Sequence, residues 1–180
     1  MKKIISLLLV LLFVFTLSSC GSDKMMEDYP LLTDKHHVYK IISADDFLEK
    51  WNNDETFVIV FGFKECPWCQ QLIPVLNKTS KEIGLKKVYY LDILDMRDNE
   101  SSVDHSKYLK IKELLNDALD KEKDRLNAPT TVVVKNGEML SYHLDTVESH
   151  KIVDGVLPKL TEEQETSLIE ILTNMITPIL

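Results

Sequence analysis

The sequence predicts an α/β domain in which a central mixed sheet is flanked by helices. The apolar run at residues 57–61 is rich in β-branched and aromatic residues and does not alternate, as in a strand covered on both faces. Strand patterns at 38–42 and 87–91 alternate with helical patterns, and this βαβαβ order favours parallel crossovers. The turn signal Asn136-Gly137 follows a β-branched run and predicts a hairpin that finishes the sheet.

Helix boundaries can be read from capping residues. Ser43 is a suitable N-cap for a first helix that ends in the polar stretch 52–54. Pro67 suits the first turn of a second helix, which runs to about Ile83 and is stopped by Gly84. The pattern at 161–164 resembles a capping box and opens a last helix that ends near Pro178.

Residues 95–126 form an enlarged region before the strand that follows Pro129. Residues 96–100 are polar and predict a loop, whereas apolar residues between 106 and 119 recur at helical spacing. The region is therefore expected to be mostly an extended helix. It could shape a substrate groove, or it could simply cover the sheet, and the sequence does not decide between these roles.

The sequence Cys66-Pro67-Trp68-Cys69 follows the central strand directly. With Pro67 in the first helical turn, Cys66 falls at the N-cap, where unpaired N–H groups and the helix dipole favour a thiolate. We therefore expect a lowered pKa for Cys66, with its sulfur facing solvent. Cys69 lies one turn further on the same face, close enough to form a disulfide. The pair predicts thiol–disulfide exchange.

The cysteine pair has two other interpretations besides redox chemistry. The pair could be half of a zinc site, but such sites usually need four ligands, the chain has no second C-x-x-C, and its five histidines are scattered. The pair could also form a purely structural disulfide. We expect no bound metal and no organic cofactor.

The ordered set of motifs resembles the thioredoxin-like thiol–disulfide oxidoreductase family. Four features carry the resemblance: the strand leading into Cys66-Pro67-Trp68-Cys69, Pro74 five residues after the second cysteine, Ala128-Pro129-Thr130 before an apolar strand, and the turn at residues 135–138. Together they span most of residues 38–180. The resemblance implies a thioredoxin-like fold.

The resemblance also implies a substrate surface. In the family the corresponding proline has a cis peptide bond and packs beside the sulfurs, which is what it implies for Pro129. Pro129 with its neighbours Ala128 and Thr130 would form the backbone against which a peptide lies. Pro67 and Trp68 would complete this surface, with Trp68 as an apolar rim.

The resemblance leaves the direction of electron flow open. A proline followed by an aromatic residue between the cysteines most resembles glutaredoxins. The family's buried carboxylate, which aids deprotonation of the resolving thiol, is absent, since Val60 occupies that position. This departure puts thioredoxin-type reduction in doubt and favours a substrate-restricted exchange enzyme.

The N-terminus predicts secretion and lipid attachment. Lys2 and Lys3 precede an apolar stretch too short for a comfortable membrane span, which marks residues 1–19 as a signal peptide. Residues 17–20, Leu-Ser-Ser-Cys, resemble the lipobox of bacterial lipoproteins, which implies lipidation of Cys20. An ordinary signal peptide with a chance cysteine is the alternative. We expect residues 20–36 to be a flexible tether and residues 37–180 to form one domain.

The charge constrains the partners. The chain carries a formal charge of −8, and removing residues 1–19 takes away two lysines and no acid, which leaves −10. An acidic surface argues against binding to nucleic acid or anionic lipid. Attachment to a membrane would therefore be through the lipid anchor. The lipobox resemblance implies that the chain lies on the extracytoplasmic side of a bacterial cell membrane. The expected partners are protein thiols or disulfides and a redox partner protein.

The sequence leaves two further functions open. The chain could be a lipid-anchored binding module that acts in export or assembly of a secreted partner, and it bears a loose similarity to accessory proteins of bacteriocin export. It could also carry Cu(I) between Cys66 and Cys69 as soft ligands.

Overall fold

The computed structural model describes residues 23–180, and their core is a five-stranded mixed sheet. The strands are β1 (Tyr39–Ile41), β2 (Phe57–Gly62), β3 (Val88–Asp92), β4 (Thr130–Lys135) and β5 (Glu138–Leu144). Their order across the sheet is β1-β3-β2-β4-β5. The first three strands are parallel to one another, β4 runs antiparallel to β2, and β5 runs antiparallel to β4. This arrangement confirms the predicted thioredoxin-like fold.

Helices cover both faces of the sheet. They are α1 (Lys24–Asp28), α2 (Ala44–Asn52), α3 (Pro67–Glu82), α4 (Leu94–Asp98), α5 (His105–Leu114) and α6 (Glu162–Ile176), with short 3-10 helices at Asn116–Ala118 and Thr177–Ile179. Helices α1, α3 and α6 contribute to the core on one face, and α2, α4 and α5 contribute to the core on the other. All six residues of β2 are buried, so the strand that leads to the cysteines is central, as predicted.

The predicted helix and turn boundaries agree with the structure. Ser43 caps α2 in a capping box with Asp46, and Thr161 caps α6 in the same way. Gly84 follows α3 with a positive φ of 84°, which a residue with a side chain rarely adopts. Asn136 and Gly137 both have positive φ, as a tight hairpin turn requires.

The region at 95–126 differs from its prediction. The expected loop at 96–100 is partly helical, because α4 begins two residues after Asp92, whose carboxylate accepts a hydrogen bond from the Leu94 backbone. The expected continuous helix over 106–119 ends at Leu114. The 3-10 turn that follows buries Ala118. Asn and Asp in that turn are poor formers of a continuing helix.

The predicted flexible tether is wrong for the part that the structure describes. Residues 23–33 include α1, and Met25, Tyr29 and Leu32 are at most 2 % exposed. Asp34 continues the attachment by pairing with Lys81 of α3. The polar average of this segment hid three apolar residues at spacings of four and three, which is the period of one helical face. The segment is therefore part of the folded domain.

The predicted signal peptide at 1–19, the lipidation site Cys20 and the first residues of the tether lie outside residues 23–180. Within those residues, no helix combines the length and apolar character needed to cross a bilayer.

Candidate active site

The fold places Cys66 at the start of α3, directly beyond the end of β2. Pro67 is the first residue of the helix, and Cys66 is the N-cap, as predicted. Its sulfur accepts a hydrogen bond from the backbone N–H of Cys69 at 3.1 Å. The sulfur thus takes the place that a serine or aspartate oxygen usually holds at a helix start.

The two thiols have opposite electrostatic environments, and both are reduced. A hydrogen bond from the Cys69 thiol lowers the pKa of Cys66, burial opposes this shift, and the backbone N–H groups of Cys69 and Trp68 lower the pKa further. Burial raises the pKa of Cys69 well above its ordinary value, and the neighbouring Cys66 adds to that increase. Of the two thiols, Cys66 is therefore the one whose surroundings favour the thiolate.

The prediction that the Cys66 sulfur faces solvent is wrong. The residue is 3 % exposed and Cys69 is 0 % exposed. The cover comes partly from the loop before β4, because the Cys66 thiol donates a hydrogen bond to the Ala128 carbonyl oxygen at 3.1 Å. The half-buried Trp68 ring packs on the same core cluster. A substrate sulfur can reach Cys66 only if this cover shifts.

The predicted substrate surface is assembled beside the sulfurs but is only partly accessible. The peptide bond between Ala128 and Pro129 is cis, as the family resemblance implied. Pro67 is exposed, and Trp68 and Ala128 are half-buried. Pro129 is buried, and Thr130 is 0 % exposed with its hydroxyl bonded to the Asn127 carbonyl oxygen. The Thr130 hydroxyl group is therefore bonded within the domain and does not face solvent.

Two tyrosines that the sequence analysis missed lie behind Cys69. Val60 stands at the position of the buried carboxylate of the thioredoxin-like family, and its side chain is fully buried. The hydroxyl groups of Tyr29 and Tyr90 are 2.6 Å apart in the core. A Cβ atom on Gly62 would lie 3.1 Å from the Cys69 sulfur, 3.5 Å from the Tyr90 ring and 3.7 Å from the Tyr29 oxygen. The sulfur and both tyrosines thus lie around Gly62, where the lack of a side chain leaves space between them.

Replacing Gly62 with alanine is expected to disturb the packing around Cys69 and to lower the free energy of unfolding by about 1–3 kcal/mol, as in other overpacked cores. The reason is that the added methyl group would lie 3.1 Å from the Cys69 sulfur, closer than such contacts normally allow. Urea unfolding measures the change. A stability equal to that of the unmodified chain would show that the core around Cys69 is loosely packed.

A cavity of about 230 Å³ opens beside the cysteines. Phe63, Trp68 and Ala128 form the side nearest to the cysteine motif. The other side chains come from α4, from the segment before β4 and from the residue after β5. They are Arg97, Lys123, Arg125, Asn127 and Asp145. No motif in the sequence marks these five residues as a group, because they converge only in the folded chain.

The structure does not bring metal-ligating residues together around the cysteines. Across residues 23–180, no three His, Cys, Asp or Glu side chains are grouped as they would be to hold a metal ion.

No protein-family model matches the chain, and no curated protein matches it. Among solved structures it is similar to thioredoxins. Thioredoxin of Plasmodium falciparum is 19 % identical, with 61 % of this chain and 89 % of that chain covered and a TM-score of 0.40. Mitochondrial thioredoxin 3 of Saccharomyces cerevisiae is 18 % identical, with 59 % and 82 % covered and a TM-score of 0.38. Thioredoxin NaTrxh of Nicotiana alata is 15 % identical, with 62 % and 84 % covered and a TM-score of 0.40.

Proposed function

We propose that the chain is a thiol–disulfide oxidoreductase anchored by lipid at Cys20 to the extracytoplasmic side of a bacterial cell membrane. The observation that carries the redox proposal is the asymmetry of the pair, in which the pKa of Cys66 is lowered mainly by a hydrogen bond from Cys69 and that of Cys69 is raised mainly by burial. The anchor and location are supported by the N-terminal sequence pattern.

In the reducing direction, the Cys66 thiolate attacks one sulfur of a substrate disulfide. The substrate S–S bond breaks, its second sulfur leaves as a thiolate that takes up a proton, and a mixed disulfide forms on Cys66. Cys69 then loses its proton and attacks the Cys66 sulfur, which releases the reduced substrate. The chain ends with a Cys66–Cys69 disulfide, having given up two electrons. Oxidation of a substrate dithiol is the same sequence reversed.

The surroundings of Cys69 set the difficult step of this sequence. Cys69 must lose a proton before it can attack, yet burial raises its pKa, and Val60 provides no carboxylate to accept that proton. A mixed disulfide should therefore persist longer than in an enzyme that has such a base. A redox partner protein would restore the pair after each turnover and so determine the direction.

A second candidate is a non-catalytic accessory lipoprotein that binds a secreted partner. The observation that favours it is the 3 % exposure of Cys66, because a sealed sulfur cannot exchange. On this reading the Trp68 and Ala128 surface would bind the partner without covalent chemistry.

Trapping through Cys66 tests the first proposal. Replacing Cys69 with alanine removes the resolving thiol, so mixed disulfides should accumulate on Cys66 and be identified by mass spectrometry after non-reducing separation. Replacing Cys66 with alanine is the matched control and should give no adduct at Cys69. If the Cys69→Ala protein captures no partner while partner binding persists in Cys66→Ala, the accessory role is the correct one.

A further inference from the structure

The enlarged region before β4 contributes cationic side chains to the cavity that Trp68 of the cysteine motif also lines. Arg97, Lys123 and Arg125 line the cavity, although the whole chain carries a formal charge of −8. Ala128 lines the same cavity, and its carbonyl oxygen accepts the hydrogen bond from the Cys66 thiol at 3.1 Å. A group bound in the cavity would therefore lie close to the reacting sulfur.

Arg97 lines the cavity and is held in place by hydrogen bonds. Its Nε and one Nη each lie 2.7 Å from an oxygen of Asp98, and the other Nη donates to the Leu126 carbonyl oxygen at 3.3 Å. The guanidinium group lies 5.2 Å from the centre of the Phe63 ring. All three of its nitrogens are engaged, and its charge is balanced by Asp98.

Arg125 is bonded less completely than Arg97. Its Nε is buried, and among residues 23–180 no acceptor lies within hydrogen-bonding distance of it. Its Nη1 lies 3.5 Å from an oxygen of Asp98, which is a long contact. Both oxygens of that carboxylate already accept hydrogen bonds from Arg97. The Arg125 side chain as a whole is 39 % exposed, so its guanidinium group is only partly covered. A carboxylate is the group that its planar fork binds best.

The other charged groups at the cavity act in opposite directions. Lys123 adds positive charge to the cavity, and its Nζ lies 3.3 Å from a carboxylate oxygen of Asp120. Asp145 opposes an incoming anion. Its carboxyl group has no hydrogen bond or ion pair in the part of the chain that the structure describes, and burial raises its pKa, while His143, Lys123 and Lys151 lower it and Asp120 adds to the increase.

We infer that this cavity receives an acidic group of the substrate, held by Arg125 with Lys123, so that the enzyme prefers thiols and disulfides that carry a carboxylate beside the reacting sulfur. The inference rests on the proposed function, since it names the substrate class of the same site. At about 230 Å³ the cavity is smaller than pockets that enclose whole ligands, so it suits a single side chain or chain terminus.

Three peptides test the inference on the reduced full chain in detergent micelles. They are identical except for Glu, Gln or Lys beside one cysteine, which is joined by a disulfide to a chromogenic thiol. The rate of thiol release gives the exchange rate. Acid quenching before resolution by Cys69, followed by mass spectrometry, assigns the transient adduct to Cys66. The Glu peptide should react about tenfold faster than the Gln peptide and the Lys peptide more slowly, with a smaller difference at high salt.

Three variants test which side chains produce the preference for the Glu peptide. Arg125→Gln should bring the Glu-to-Gln rate ratio close to one, and Asp145→Asn should increase the ratio. Lys86→Gln is the matched control, because it removes one positive charge from an exposed side chain. Lys86 lies just before β3, which is parallel to β2, and so at the end of these strands opposite to the cysteines. That variant should keep the ratio of the unmodified chain.

The outcomes separate the two proposals. If the three peptides react through Cys66 at equal rates in the unmodified chain, the inference is overturned and the exchange activity stands. If no peptide reacts at Cys66, both fail together. Because the peptide series needs no substitution, the comparison holds even where a variant does not fold.

Discussion

Replacing Tyr29 with alanine is expected to lower the free energy of unfolding by about 3–5 kcal/mol, the usual cost of emptying a buried aromatic site. Tyr29 is 0 % exposed, and its ring packs edge-on against Tyr90 with the ring centres 5.7 Å apart. The substitution also removes the 2.6 Å hydrogen bond between the two hydroxyl groups, which leaves the Tyr90 hydroxyl without that partner. Urea unfolding followed by tryptophan fluorescence measures the change.

An exposed tyrosine provides the comparison. Tyr142 of β5 is 42 % exposed, so Tyr142→Ala should cost about 1 kcal/mol or less. Equal unfolding midpoints for Tyr29→Ala and the unmodified chain would mean that residues 23–33 do not belong to the cooperative unit. A large loss at Tyr29 would show that the domain begins before residue 37, where the sequence had placed its start.

The central part of the fold was predictable because its determinants are local. A continuous apolar strand, a proline in the first helical turn and a cysteine at the N-cap all lie within residues 57–69, so their geometry follows from neighbours in the chain. The hairpin at Asn136-Gly137 was predictable for the same reason. The cis bond before Pro129 came instead from the family resemblance.

Two of the errors concern contacts between distant segments. Tyr29 meets Tyr90 across 61 positions of sequence, and the polar residues around Tyr29 hid its role. The burial of Cys66 depends on the Ala128 carbonyl, 62 positions away. Arg97 and Arg125 lie 28 positions apart in the sequence and line one cavity in the folded chain. Pattern and propensity carry no information about such meetings.

Alkylation of the reduced chain with iodoacetamide is expected to modify Cys66 and leave Cys69 unmodified until the protein unfolds. The thiolate is the reacting form, and each unit of pKa changes its fraction tenfold below the pKa. The pKa of Cys66 is lowered by its hydrogen bond from Cys69, and the pKa of Cys69 is raised by burial. The rates should therefore differ by at least about 100-fold at pH 7.

The pH dependence separates ionisation from access. A lowered pKa means that the Cys66 rate rises and levels off at lower pH than for a free cysteine, whereas poor access lowers the rate equally at every pH. The lowered pKa of Cys66 therefore predicts an alkylation rate that levels off at low pH. The 3 % exposure of Cys66 predicts that the rate at this plateau is slow. Cys66→Ala, in which Cys69 should stay unmodified in the folded chain, is the control.

A Cys66 profile with the midpoint of an ordinary thiol would mean that the helix start does not stabilise the thiolate. Labelling of Cys66 only in denaturant would mean that its cover does not open, and the accessory binding role would then explain the fold better than exchange.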